Sequence, residues 1–309
     1  MNKCEKGKAI IRVFPRRTKW TPDDDLVFVG EPDLFRPINR NIPVKISVTF
    51  TWDIQEGERL LRSWSRFYTD VQLGGPAFND PGSEFIPGLF IKKGVTITSR
   101  GCNKKCAWCS VPVREKTTRE IEIKDGWIVQ DNNILACSEK HLWKVFEMLR
   151  KQPYPAQFKG GLDTTLIKKE HRKLFDRIRV SELWFACDSD IAFPPLLKAS
   201  EIFKDYPRNK KYCYALIGFG GETLLSAEKR LRNIYLLGFM PFAQLYQSDD
   251  KIKYTKEWLK LQREWQRPAI FKTIMKEEKE GEDNRGTETR NPKPETGQNC
   301  PPQTVHAGI

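Results

Sequence analysis

The segment Ser99–Pro112, SRGCNKKCAWCSVP, places Cys102, Cys106 and Cys109 within eight residues. A disulfide would use two of these thiols, and a closed zinc site normally uses four ligands. The other cysteines, Cys4, Cys137, Cys187, Cys213 and Cys300, are scattered, so the eight do not form a disulfide framework. In a reducing compartment such clustering points to metal or redox chemistry. Four cysteines satisfy every iron of a [4Fe–4S] cubane. Three leave one iron open, and an open metal position is where a substrate can coordinate. A zinc site would have to recruit His141, about thirty residues further on and without finger spacing.

Such a loop needs elements to hold it. From Gly94 the chain reads as strands alternating with helices of ordinary length. VTITS runs into the cysteine loop, and WIVQ from Trp127 is the next strand. Leu142, Val145, Phe146 and Leu149 then recur at helical spacing. AQFKGG, ELWFACD, YCYALIGF and FMPFAQLY follow as further strands. Between them lie helices carrying Ile167, Leu174 and Ile178, then Pro194 to Lys204, then Leu224, Leu231 and Ile234. This rhythm predicts an α/β protein with a parallel sheet and right-handed crossovers, and six units suit an open, partial (β/α)6 barrel. The first crossover, Pro112 to Trp127, has little room for a packed helix, and REIEI there predicts a short hairpin.

Upstream, Asn41 to Phe78 reads strand, helix, strand. Asp53 is placed to cap the helix with Glu56 as its capping-box partner, and Leu60, Leu61 and Trp64 lie on one face. This predicts a small Rossmann-like region. KEWLKLQREWQR predicts a final helix over the barrel, and the chain from Lys276 lacks large apolar residues, which predicts disorder. The expected organisation is therefore a reduced Rossmann-like region over 1–90, a barrel over 91–250, a capping helix over 251–275 and a disordered tail over 276–309.

The chain has 309 residues and a formal charge of +13, although the segment from Lys276 carries five basic and seven acidic residues. Excess positive charge suits nucleic acid, an acidic protein or an anionic ligand, and selects none of them. No apolar run reaches the roughly 18 residues of a membrane span, and the amino terminus lacks the apolar core of a signal peptide. A cytoplasmic protein without membrane contact is expected.

The triad Cys-x3-Cys-x2-Cys, with Trp108 before its last cysteine, resembles the radical S-adenosylmethionine (radical SAM) superfamily, and the likeness covers roughly Gly94 to Tyr246. TSRGCNKKCAWCSVP is most similar to the subgroup that often carries a cobalamin-binding domain in front. The resemblance implies that Cys102, Cys106 and Cys109 ligate a [4Fe–4S] cluster whose unique iron binds the amino and carboxylate groups of S-adenosylmethionine. One electron then cleaves the sulfonium C–S bond to a 5′-deoxyadenosyl radical, which abstracts a substrate hydrogen. It also implies an external one-electron donor such as flavodoxin or ferredoxin.

Further cofactor contacts follow by matching positions in that family. Trp108 is expected near the nucleotide, Asp131 and Asn132 at the amino group, and Gly160 and Gly161 beside the ligand. Asp188 and Ser189 match residues that meet the ribose, and Gly218 lies in the adenine-side segment. Each has a plainer reading as a turn, a strand end or a helix cap. The chain departs from the cobalamin pattern: no histidine precedes His141 and no Asp-x-His-x-x-Gly motif is present, so cobalamin is not expected. Two rival readings are a non-catalytic iron–sulfur or zinc protein on nucleic acid, and a degenerate barrel acting as a scaffold. Nothing in the sequence names the substrate.

Overall fold

The computed structural model describes residues 9–33, 39–82, 84–247 and 252–277. By internal contacts the chain divides into residues 1–266 and 267–309. In the second unit the described residues form one helix over 268–277. The tail expected from residue 276 otherwise lies outside the described residues, as do Cys4 and Cys300.

The first unit contains two parallel sheets, so the chain is α/β. Strands β1 (Ile11–Phe14), β2 (Val27–Val29) and β3 (Val44–Ser47), helix α1 (Ile54–Trp64) and strand β4 (Val71–Gly74) come first. The four strands pair in parallel in the order β2-β1-β3-β4. Every residue of β1 is buried, and Ile11, Val13, Val44 and Ile46 form one core with Leu60 and Trp64 of α1. Trp64 Nε1–H donates to Gly30 O at 3.0 Å, tying the helix to the end of β2. The periodicity from Asn41 predicts β3, α1 and β4. Strands β1 and β2 lack that signal because they are short and separated by a long loop. Asp53 stands at the cap position of α1 but makes no side-chain cap bond, since its carboxylate pairs with Arg16 instead.

The second sheet begins at β5 (Val95–Thr96). After it come β6 (Ser99–Arg100), α2 (Val111–Arg114), β7 (Arg119–Glu120), β8 (Ile128–Val129) and α3 (Glu139–Arg150). Next are β9 (Ala156–Leu162), α4 (Lys169–Phe175), β10 (Val180–Ala186) and α5 (Phe193–Ile202). Strand β11 (Lys211–Ile217), α6 (Leu224–Leu236), β12 (Met240–Leu245) and α7 (Lys256–Trp265) complete the unit. The six-stranded sheet is parallel throughout, in the order β12-β11-β10-β9-β8-β5. Space therefore follows sequence, and same-handed crossovers lay α3 to α6 on one face.

That face is held by rings meeting largely edge to face. Phe146, Phe158, Phe175, Phe203, Phe185 and Phe239 form a chain with successive centroids 5.0 to 5.6 Å apart. Each such pair adds about 0.5–1.5 kcal/mol beyond its burial. The opposite face carries Trp184 stacked on Tyr212 at 4.5 Å, with the Lys159 ammonium 4.7 Å from the Trp184 ring. Alternate burial along β11 separates the two faces. Cys187 and Cys213 are fully buried, and burial pushes the Cys187 thiol up to about 12. They serve as small apolar residues.

VTITS does not run as a single strand. Thr98 N–H donates to Asp131 Oδ1 at 2.7 Å, so the chain leaves the sheet there, and Ser99–Arg100 pairs antiparallel with Arg119–Glu120. The short hairpin predicted within Pro112–Trp127 does not form across KDG: of REIEI only Arg119–Glu120 is strand, and it pairs with Ser99–Arg100 on the far side of the cysteine loop, where the chain freed by Asp131 supplies its partner. Among the described residues no helix is long and apolar enough to cross a membrane.

Candidate functional site

The β6–β7 pairing closes the loop that carries the three cysteines, beyond the carboxyl end of β5. Gly101 opens it at φ 78°, where a Cβ would stand 2.2 Å from Thr117 O, so only glycine fits. Three hydrogen bonds tie the two limbs. Cys102 N–H donates to Lys116 O at 3.0 Å, Thr118 N–H to Asn103 Oδ1 at 3.0 Å, and Gly101 N–H to Glu115 Oε2 at 3.1 Å. Cys109 N–H donates to Cys106 O at 3.0 Å, tightening the last turn before α2.

All three thiols are free and partly exposed. Burial pushes the Cys106 thiol up, and the neighbouring Cys109 and Cys102 and the Asp188 carboxylate push it further, against Lys104. Burial also pushes Cys109 up, with Cys102 and Asp188 adding to it, against the Val111 N–H and Arg114. Cys106 and Cys109 thus share a field, with Asp188 in it, that opposes their ionisation. Among the described residues no three His, Cys, Asp or Glu side chains converge as they would on a single metal ion.

The segment after β8 fastens the loop from below. Asp131, 1% exposed, accepts from Thr98 N–H at 2.7 Å, Thr98 Oγ1 at 2.6 Å and Ser99 Oγ at 2.7 Å. Asn132 Nδ2 donates to Glu115 Oε2 at 2.6 Å. Both residues assigned to an amino group are therefore already engaged with the loop. Their neighbour Asn133 is 3% exposed and donates from Nδ2 to Asp163 Oδ2 at 3.1 Å and Cys102 Sγ at 3.6 Å. Its Oδ1 is buried with no hydrogen-bond partner.

Gly160 and Gly161, expected after the strand, lie among the last residues of β9 and divide in role. A Cβ on Gly160 would lie 1.8 Å from Asp131 O, so that glycine lets β9 approach the Asp131 backbone. Gly161 has φ 95° and open space around its Cβ position. Beyond it, Lys104 from the cysteine loop reaches Thr165 Oγ1 at 2.8 Å and Asp163 Oδ2 at 3.5 Å.

On the far side Trp108 meets Phe219, after β11, edge to face at 5.4 Å, and Phe219 meets Tyr246, after β12, at 4.8 Å. Asp188 Oδ1 accepts from Leu216 N–H at 2.9 Å, and burial pushes its carboxyl up. Ser189 precedes the short 3-10 turn Asp190–Ala192 without capping it. Gly218 packs on the Tyr254 ring, and its N–H donates to Glu222 Oε2 at 2.9 Å. One loop thus touches the segments that follow β8, β9 and β11.

Asn133, Asp163, Glu115, Lys104 and Phe219 belong to this assembly and were not singled out by spacing. Asp163 alone left a local trace: it accepts from Thr165 N–H and Oγ1, the pattern of an Asx turn at a strand end. No family model and no curated protein matches the chain.

Proposed function

We propose that the protein is a radical SAM enzyme, with the six-stranded unit curved as a partial (β/α)6 barrel and the four-stranded sheet as a reduced Rossmann-like region in front. One observation carries the reading: three free thiols on a single loop, beyond the carboxyl end of the first strand of a sequentially ordered parallel sheet. That edge is where α/β barrels place their chemistry. The loop touches Asn133 beyond β8 through Cys102 and Phe219 beyond β11 through Trp108, as a loop over the mouth of a partial barrel would. In a flat sheet those strands lie three spacings apart, about 14 Å.

The donor set fits an iron–sulfur cubane. Each thiolate of a cubane binds a different iron, so the sulfurs need not converge, whereas a mononuclear zinc site requires convergence and a fourth ligand. Cys102, Cys106 and Cys109 would hold the cluster, and S-adenosylmethionine would take the remaining iron. Bound there, the pair supplies reductive C–S cleavage and hydrogen abstraction, the hard step belonging to the cofactor. The chain's own task is to bind, orient and exclude water. Asn133 Oδ1 is an unengaged buried acceptor beside the loop and suits the ammonium better than Asp131 or Asn132 does. Gly161 leaves room for the ligand, Trp108 covers the side towards β11, and Ser189 keeps its hydroxyl free of the cap. An acidic one-electron donor and a cytoplasmic setting belong to the same reading.

The test is anaerobic reconstitution with iron and sulfide, followed by a reductant and S-adenosylmethionine. Wild-type protein should release 5′-deoxyadenosine, and Cys106→Ala should release none. A loaded wild-type protein that leaves S-adenosylmethionine intact would overturn the assignment.

A further inference from the structure

Cys102 has two donors aimed at it, one of them a side chain, whereas Cys109 has the Val111 N–H. Lys104 N lies 3.4 Å from the Cys102 Sγ, and Asn133 Nδ2 lies 3.6 Å from it. The orientation of the Asn133 amide is not free. Asp163 can only accept, and it is itself held by Thr165 N–H at 3.1 Å, Thr165 Oγ1 at 2.7 Å and Lys104 Nζ at 3.5 Å. Turning the amide over would set its oxygen against a carboxylate and a thiolate together. Asp163 therefore keeps Nδ2 towards Cys102 and leaves Oδ1 for the ammonium assigned to it above.

Hydrogen bonds to ligating sulfurs set the reduction potential of an iron–sulfur group, because they favour the state with more negative charge on sulfur. We propose that Asn133, oriented by Asp163, is a positioning residue whose N–H to Cys102 raises the reduction potential of the group on the cysteine loop. The proposal rests on the functional reading above and adds to it one residue with a measurable electronic effect.

The experiment is a redox titration of the reconstituted protein with dithionite as electron source, followed by electron paramagnetic resonance. Asn133→Leu keeps the branched shape, excludes water and removes the donor. Its midpoint potential should fall below that of wild type by about tenfold in electron affinity, or about 59 mV for one electron. Asn133→Ala cannot overpack and should fall in the same direction, which keeps the test open if the leucine variant loads poorly. Equal potentials in wild type and whichever variants load would overturn this inference and leave the functional reading standing. A wild-type protein that takes up no iron and sulfide would remove both.

Discussion

Glu115 lies inside the cysteine loop, 5% exposed, with both carboxylate oxygens occupied. Arg114 Nη2 binds Oε1 at 2.7 Å, while Gly101 N–H and Asn132 Nδ2 converge on Oε2. Burial pushes its carboxyl up, but the Arg114 pair, the Gly101 N–H and the Arg100 charge together outweigh it and hold the value below the ordinary carboxylate range. A lowered folded value contributes stability that is complete above the unfolded value and is lost as pH falls through the folded one. Glu115→Gln should therefore destabilise the protein at neutral pH by about 1.5–3 kcal/mol, the range for hydrogen bonds to charged groups. The gap should close as pH drops below about 4. Paired thermal melts across pH check this, and a gap independent of pH would contradict it. Asp131 has the opposite sign: burial pushes its carboxyl up, so protonating it stabilises the fold, and the comparison of variant with wild type cancels that contribution. At this scale the sequence makes the cysteines legible, because their chemistry lies in local spacing. Glu115, Asn133 and Asp163 come together only through contacts spanning 17, 30 and 31 positions, which no local pattern records.

Helix α6 illustrates what periodicity reveals about an element and what it hides. Ala227, Leu231 and Ile234 mark its buried face from sequence alone, and all three are fully buried. Arg230 lies on that same face, 4% exposed, where pattern reading would place a solvent-facing residue. Its Nη1 donates to Cys187 O at 3.0 Å and Leu216 O at 2.9 Å, and its Nη2 pairs with Glu222. The ends of β10 and β11, which bear Asp188 and Gly218, are thus fixed by one guanidinium. Arg230→Met should cost about 3–5 kcal/mol, because Glu222 would be left as a nearly buried charge without its partner. Adding Glu222→Leu should recover most of the loss. Denaturant titration of both variants measures this, and a single-variant loss under about 1 kcal/mol would contradict it. Elements defined by periodicity, such as α3, α6 and β9 to β12, follow the sequence closely. The break in VTITS does not, because its cause is a carboxylate 33 positions away.

Across the whole molecule, the α/β class and the sequential parallel sheet were readable because strand–helix alternation admits few windings. The first crossover is the exception and also the candidate site: where the others carry packed helices, the chain between β5 and β8 carries the cysteine loop, the four-residue α2 and the β6–β7 pair. Burial, neighbouring thiols and Asp188 all oppose ionisation of Cys106 and Cys109, so a cluster binding there must displace their protons. The most direct measurement is iron and acid-labile sulfide per chain after anaerobic reconstitution, in wild type and in the variant with Cys102, Cys106 and Cys109 all replaced by alanine. About four of each per wild-type chain and neither in the variant is the predicted result for a cubane. A wild type without sulfide, or a triple variant that retains it, would contradict the assignment.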